Sequence, residues 1–304
     1  MALDRLIEGI KRTHNPTVAG LDPKLEYIPD FLVEKAFAAH GETLEGAAAA
    51  ILAYNKGLID ALCDIVPAVK PQAAYYEMYG WPGMRTLSET IAYAKAKGMF
   101  VITDGKRNDI GSTMEAYAAA HLGKTKVGGA EIAAFGGDAL TVNGYLGEDG
   151  IRPLLDTCRR YDAGIIVLVK TSNPSSGELQ DRRIDGETVY RTMGGLCEKW
   201  GEELPGKYGY SGVGAVVGAT YPAQLAELRA ALPHTFFLVP GYGAQGGGAA
   251  DVAGAFDKEG MGAVVNSSRA ILCAWKKEGC APEDYAGAAR REALRMRDDI
   301  LSAL

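Results

Sequence analysis

The sequence predicts a (β/α)8 barrel, and three observations point to it. Eight short runs rich in Val and Ile recur along the 304 residues. They lack clean polar alternation, as strands buried on both faces do. Most gaps between them hold a helical pattern, and eight strand–helix units close into a barrel. No GxGxxG follows the first run, which disfavours an open doubly wound sheet. No linker composition divides the chain, so residues 1–304 are read as one domain.

In order, the runs are 17–21, ending at Asp22-Pro23; 65–69, ending at Lys70-Pro71; and 99–103, ending at Asp104. Then come 139–142, before Asn143-Gly144, and 164–169, before Lys170-Thr171-Ser172-Asn173-Pro174. The last three are 214–217, 236–239 and 262–265, followed by Gly218, Pro240-Gly241 and Asn266-Ser267. Helical patterns cover 43–62, 84–97, 186–203 and 221–232, and residues 283–304 read as a charged terminal helix packed outside the barrel. Glycine supplies 39 residues, nearly twice the usual share, and many flank the runs, as turn residues do. Gly-rich residues 120–137 suggest a long βα excursion. Polar residues 171–185 suggest a mobile loop after strand five, placed where barrel loops carry function.

Composition narrows the classes. Hydrophobic residues make up 47% and charged residues 23% of the chain, the proportions of a soluble globular protein. The net charge is −6 and no basic run is present, so no nucleic-acid partner is expected. No apolar run reaches the roughly 18 residues of a membrane helix, and the N-terminus has no signal-peptide core. Five cysteines are scattered without a CxxC. These features predict a reduced, cytoplasmic protein. Four dispersed histidines argue against a His-rich metal site.

The chemistry gathers at strand ends. In Asp104-Gly105-Lys106-Arg107-Asn108-Asp109, Asp104 and Lys106 are two apart and face the same way in a strand. Ser112 and Glu115 fit a capping box for the next helix. A surface ion pair with a helix cap is the plainer explanation, but a charged pair at the end of a buried strand is costly without a purpose. Asp22 ends strand one; Lys70 ends strand two, with Gln72 on the same face. Alternating signs among Asp22, Lys70, Asp104 and Lys106 hold each group charged. After strands seven and eight come Gly241-Tyr242-Gly243-Ala244-Gln245-Gly246-Gly247-Gly248 and Asn266-Ser267-Ser268-Arg269. Barrel enzymes often bind phosphate with this loop pair: glycines let backbone N–H groups approach, Gln245 adds a neutral donor, and Arg269 offers a bidentate fork. Together these predict an enzyme acting on a phosphorylated small molecule, with the reaction left open.

The stretch Asp104-Gly-Lys106-Arg-Asn-Asp109-Ile110-Gly-Ser-Thr113 resembles the DxKxxDIxxT signature of the orotidine 5′-phosphate decarboxylase family. The GST after Asp-Ile and the segment Lys170-Thr171-Ser172-Asn173-Pro174 resemble the family's second type. Val18-Ala19-Gly20-Leu21-Asp22-Pro23, Pro240 to Gly247 and Asn266 to Arg269 match in order, so the resemblance spans nearly the whole chain. It implies conversion of orotidine 5′-monophosphate to uridine 5′-monophosphate in pyrimidine biosynthesis. Lys106 would give a proton to C6, Asp104 would lie beside the substrate carboxylate, and Lys70 would bridge Asp104 and the ribose. Asp109 would enter the neighbouring subunit's site, with Ile110 and Thr113 near it, which implies a homodimer. Asp22 would bind ribose hydroxyls, Ser172 the pyrimidine, and Gln245 and Arg269 the phosphate. Neither metal nor organic cofactor is implied. Two rivals use the same barrel: a metal-dependent sugar-phosphate aldolase or decarboxylase with a similar Asp-x-Lys-x-x-Asp, and an inactive nucleotide-binding protein.

Overall fold

The computed structural model describes residues 1–243 and 248–304. Among these, eight parallel strands close into a barrel: β1 (Thr17–Leu21), β2 (Ala68–Pro71), β3 (Phe100–Arg107), β4 (Ala139–Val142), β5 (Gly164–Lys170), β6 (Val213–Val217), β7 (Phe237–Val239) and β8 (Ala263–Ser267). Each strand pairs with the next, and β8 closes onto β1 through Thr17↔Val265 and Val18↔Asn266. All eight predicted runs are strands. The main change is at β3, which continues through the charged motif to Arg107.

Two layers of apolar side chains hold the barrel. Val18, Phe100, Ile102, Ile166, Leu238 and Val264 point inward and pack together. Alternate residues, such as Val101, Val167 and Val265, pack outward against the helices. This is why the runs lack polar alternation: neither face meets water. A helix that the sequence reading did not predict, Ala2–Thr13, plugs the N-terminal end of the barrel. Its Leu3, Leu6, Ile7 and Ile10 are spaced to form one face and join the interior cluster.

The predicted helices form with shifted ends, at Leu44–Leu62, Gly80–Ala96, Val189–Gly201, Pro222–Ala231 and Tyr285–Leu301. Thr43 caps the first by accepting from the Gly46 amide at 3.1 Å, worth about 1 kcal/mol. The terminal helix packs on Leu44–Leu62 outside the barrel.

Two expectations need correction, and a third segment gains detail. Helix Gly111–His121 starts one residue before Ser112, with Ile110 at its cap and no side-chain cap bond. Ser112 therefore lies inside the first turn and forms no capping box with Glu115. Residues 120–137 are not a βα excursion, because this helix lies between β3 and them. They form an αβ connection on the opposite end from the site, carrying a hairpin of Thr125–Val127 and Ala130–Ile132. Residues 171–185 carry structure of their own: a 3-10 turn at Pro174–Glu178 and one arm of a hairpin pairing Arg183–Ile184 with Glu187–Thr188.

Candidate active site

The C-terminal ends of β2, β3 and β4 bring four polar side chains onto one carboxylate. Lys70 Nζ lies 2.7 Å from Asp104 Oδ2, and Lys106 Nζ lies 2.6 Å from Asp104 Oδ1. Thr141 Oγ1 donates to Oδ1 at 2.8 Å, and Gln72 Nε2 to Oδ2 at 3.0 Å. Asp22, at the end of β1, stands 4.0 Å from Lys70 Nζ. The sequence reading placed both lysines, both aspartates and Gln72 on one rim, and the structure brings them together. It missed Thr141, whose inward position in β4 marks it only once the strand's phase is known.

The local backbone explains the convergence. Opposite β4, β3 steps from Thr103↔Leu140 to Arg107↔Val142, so β3 spends four residues where β4 spends two. Such bulges re-aim side chains. Lys106 sits in this bulge with φ +48°, a left-handed conformation that costs a residue with a Cβ roughly 1 kcal/mol. Its amide donates to Thr141 Oγ1 at 3.0 Å. The shared direction of Asp104 and Lys106 therefore comes from a bulge held by β4, not from simple strand alternation.

Burial and charge set the protonation states. Burial alone would raise the Asp104 carboxyl, but the ammonium groups of Lys70 and then Lys106 overcome it and hold it well below the usual carboxylate range. Burial alone would lower the Lys70 ammonium; Asp104 and then Asp22 reverse this and raise it above its ordinary value. The charged forms of Asp104 and Lys70 thus stabilise each other inside the rim. Lys106 is the accessible member, with its side chain 45% exposed against 5% for Lys70.

These groups face a cavity of about 450 Å³. Lys70, Asp104, Lys106 and Thr141 line one side; Thr171, Ser172, Asn173 and Gln180 line the other; Leu168, Val216 and Leu238 add apolar surface. Close approaches shape it. A Cβ on Gly218 would lie 2.9 Å from Ser172 backbone atoms, and one on Gly20 would lie 1.9 Å from Ser268 Oγ. Only glycine fits there without movement.

Asp22 stays at the rim, and the remaining candidates lie elsewhere. Asp22 Oδ1 is buried without a hydrogen-bond partner in the described structure. Arg269 opens the short helix Arg269–Leu272, as expected of a residue at a helix start. Its side chain, however, lines a separate cavity of about 810 Å³ with Tyr242, Gly243 and Lys276. Gln245 falls outside the described residues. Asp109, Ile110 and Thr113 do not line the Lys–Asp cavity of their own chain. Asp109 Oδ1 accepts from the Ile110 amide at 2.8 Å, and Ile110 is 51% exposed.

Comparison with known proteins places this arrangement. The model of the "Orotidine 5′-phosphate decarboxylase / HUMPS family" matches residues 43–281. A Rhodopirellula baltica protein named orotidine 5′-phosphate decarboxylase is 46% identical over 300 residues, covering 97% of each chain. One of the same name from Caldicellulosiruptor saccharolyticus is 42% identical over 273 residues, covering 90% of each. The structure of Leishmania donovani OMP decarboxylase superposes with a TM-score of 0.75 at 30% identity, covering 99% of this chain and 98% of that one. Motif order, the barrel and these matches agree: the chain belongs to the orotidine 5′-phosphate decarboxylase / HUMPS family.

Proposed function

We propose that this enzyme decarboxylates orotidine 5′-monophosphate to uridine 5′-monophosphate, a step of pyrimidine biosynthesis. The observation that carries the reading is Asp104 held between Lys70 and Lys106 at the cavity edge. A relative of 46% identity carries the decarboxylase name. In the reaction the C6–carboxylate bond breaks, carbon dioxide leaves, and the electron pair stays on C6 in the ring plane. The π system cannot delocalise that pair, so stabilisation is electrostatic and preorganised. Lys106 brings positive charge to C6 and then gives it a proton; solvent restores the ammonium. Asp104 orients Lys106 and lies beside the departing carboxylate. The apolar wall of Leu168, Val216 and Leu238 lowers the local dielectric and strengthens these interactions.

Binding energy comes from the rest of the nucleotide. Asp22 and Lys70 take the ribose hydroxyls, Ser172 the pyrimidine edge, and Arg269 with Gln245 the phosphate. Arg269 must swing from its own cavity to do so, with the outer part of loop 171–185 closing over the base. No metal or organic cofactor is needed. A divalent ion at Asp104 would compete with two ammonium groups already within 2.7 Å of it, which disfavours the metal-dependent aldolase alternative.

The active species is read as a homodimer, with Asp109 completing the partner's site and Ile110 and Thr113 beside it. Exposed Met78, Trp81, Ile110, Tyr145 and Leu146 surround this rim, apolar surface suited to a second copy. A cytoplasmic setting suits the five free thiols. Among the described residues, no helix is long and apolar enough to cross a membrane.

The deciding experiment follows the ultraviolet change when the protein meets orotidine 5′-monophosphate in EDTA, beside a Lys106→Ala sample. Turnover that disappears in the variant is expected. No turnover by the wild type would overturn the reading, and sugar phosphates with magnesium would then be tried.

A further inference from the structure

Lys170 is a third lysine at a strand end, and it does not enter the cavity. Between β5 and β6 the register steps from Leu168↔Val216 to Lys170↔Val217, so Val169 is an extra residue. Leu168 faces the cavity, and strict alternation would send Lys170 there too. The bulge re-aims it instead. The side chain is fully buried, with Nζ 2.8 Å from Asp181 Oδ1, 3.1 Å from Ser176 Oγ and 4.3 Å above the Tyr221 ring. A well-packed apolar side chain would usually serve structure as well as a buried ion pair does, so this one calls for a reason.

The reason lies in what the pair holds. Thr171, Ser172, Asn173 and Gln180 line the cavity; Ser176 lies in the segment between Asn173 and Gln180, and Asp181 follows Gln180 directly. Gln180 closes that segment into a ring: its Oε1 accepts from the Thr171 amide at 2.9 Å, and its Nε2 donates to Thr171 Oγ1 at 2.7 Å. Lys170 pins the ring from beneath. We propose that Lys170, through Asp181 and Ser176, is a positioning residue that holds the 171–180 wall in the shape that receives the pyrimidine. It follows that closure begins beyond Asp181, at the hairpin of Arg183–Ile184 and Glu187–Thr188. The proposal deepens the decarboxylase reading and rests on it for the identity of the base.

The test compares ligands with and without a base. Lys170→Met should weaken uridine 5′-monophosphate about tenfold or more and raise KM in step, with kcat changing far less. Inhibition by ribose 5-phosphate, which has no base, should stay within about twofold. Asp181→Asn, at a partly exposed site, should act in the same direction and more weakly. Equal weakening of both ligands, or unchanged nucleotide affinity, would overturn the proposal. Hydrogen exchange separates this from failure of the decarboxylase reading. If the wild type does not turn over substrate, lost amide protection at 174–181 in Lys170→Met still supports the positioning role of Lys170, and unchanged protection overturns it.

Discussion

Thr141 Oγ1 is 2.8 Å from Asp104 Oδ1 and also accepts the Lys106 amide at 3.0 Å. One hydroxyl on β4 thus ties the carboxylate to the strained backbone that carries the Lys106 amine. The rim is a single unit, and its parts should fail together.

Asp104→Asn leaves Lys70 buried with Asp22, 4.0 Å away, as its remaining anionic neighbour among the described residues, and with the Lys106 ammonium close by. Breaking a buried pair this way costs about 3–5 kcal/mol, to be read by urea denaturation at neutral pH. The pH dependence follows from the depressed carboxyl. Its stabilisation is complete above the unfolded value of about 4 and is lost as pH falls below that toward the folded value. The gap between wild type and variant should shrink only below about pH 4. A gap that shrinks between pH 7 and 5 would assign it to another group.

Lys106→Ala and Lys106→Gly both remove the amine, and both should lose activity by about a thousandfold or more. They differ in backbone alone. At φ +48° the glycine variant should be the more stable by roughly 1 kcal/mol. Equal melting temperatures would mean that the bulge relaxes when the amine is gone.

Complementation tests the shared site. Lys106→Ala and Asp109→Ala subunits, if Asp109 completes the partner's site as proposed, should each be inactive on their own. After unfolding and refolding together at equal amounts, half the dimers are mixed and each holds one intact site. Activity should return to about a quarter of wild type. No recovery would put Asp109 to work in its own chain.

His121 gives a second acid-sensitive element, away from the rim. It is 3% exposed and stacks on Phe135 at 5.0 Å. Burial, and then the charge of Arg107, push its imidazole down to about 4. A depressed value means stability that is full above the unfolded pKa of about 6.5 and lost as pH falls toward 4, roughly 3 kcal/mol in all. His121→Phe keeps the stack and should remove that loss. Parallel stability curves between pH 7 and 4 would show that His121 is not responsible.

The order of eight buried runs, and the charged residues closing the first three, were legible in the sequence because both are local. Val- and Ile-rich runs without alternation report burial on two faces, and a charge ending such a run must lie at a rim. The family signature was local too. What only the tertiary structure decided came from register and packing between strands distant in sequence. Thr141 joins the site because β4 lies beside a bulge in β3. Lys170 leaves it because β5 carries one residue more than β6. Ser112 loses its predicted capping role, and the 120–137 excursion moves to the far end, because helix Gly111–His121 starts early and crosses the barrel first. A one-residue offset between neighbours turns a side chain to the other face, and one strand's sequence does not record its neighbour's count.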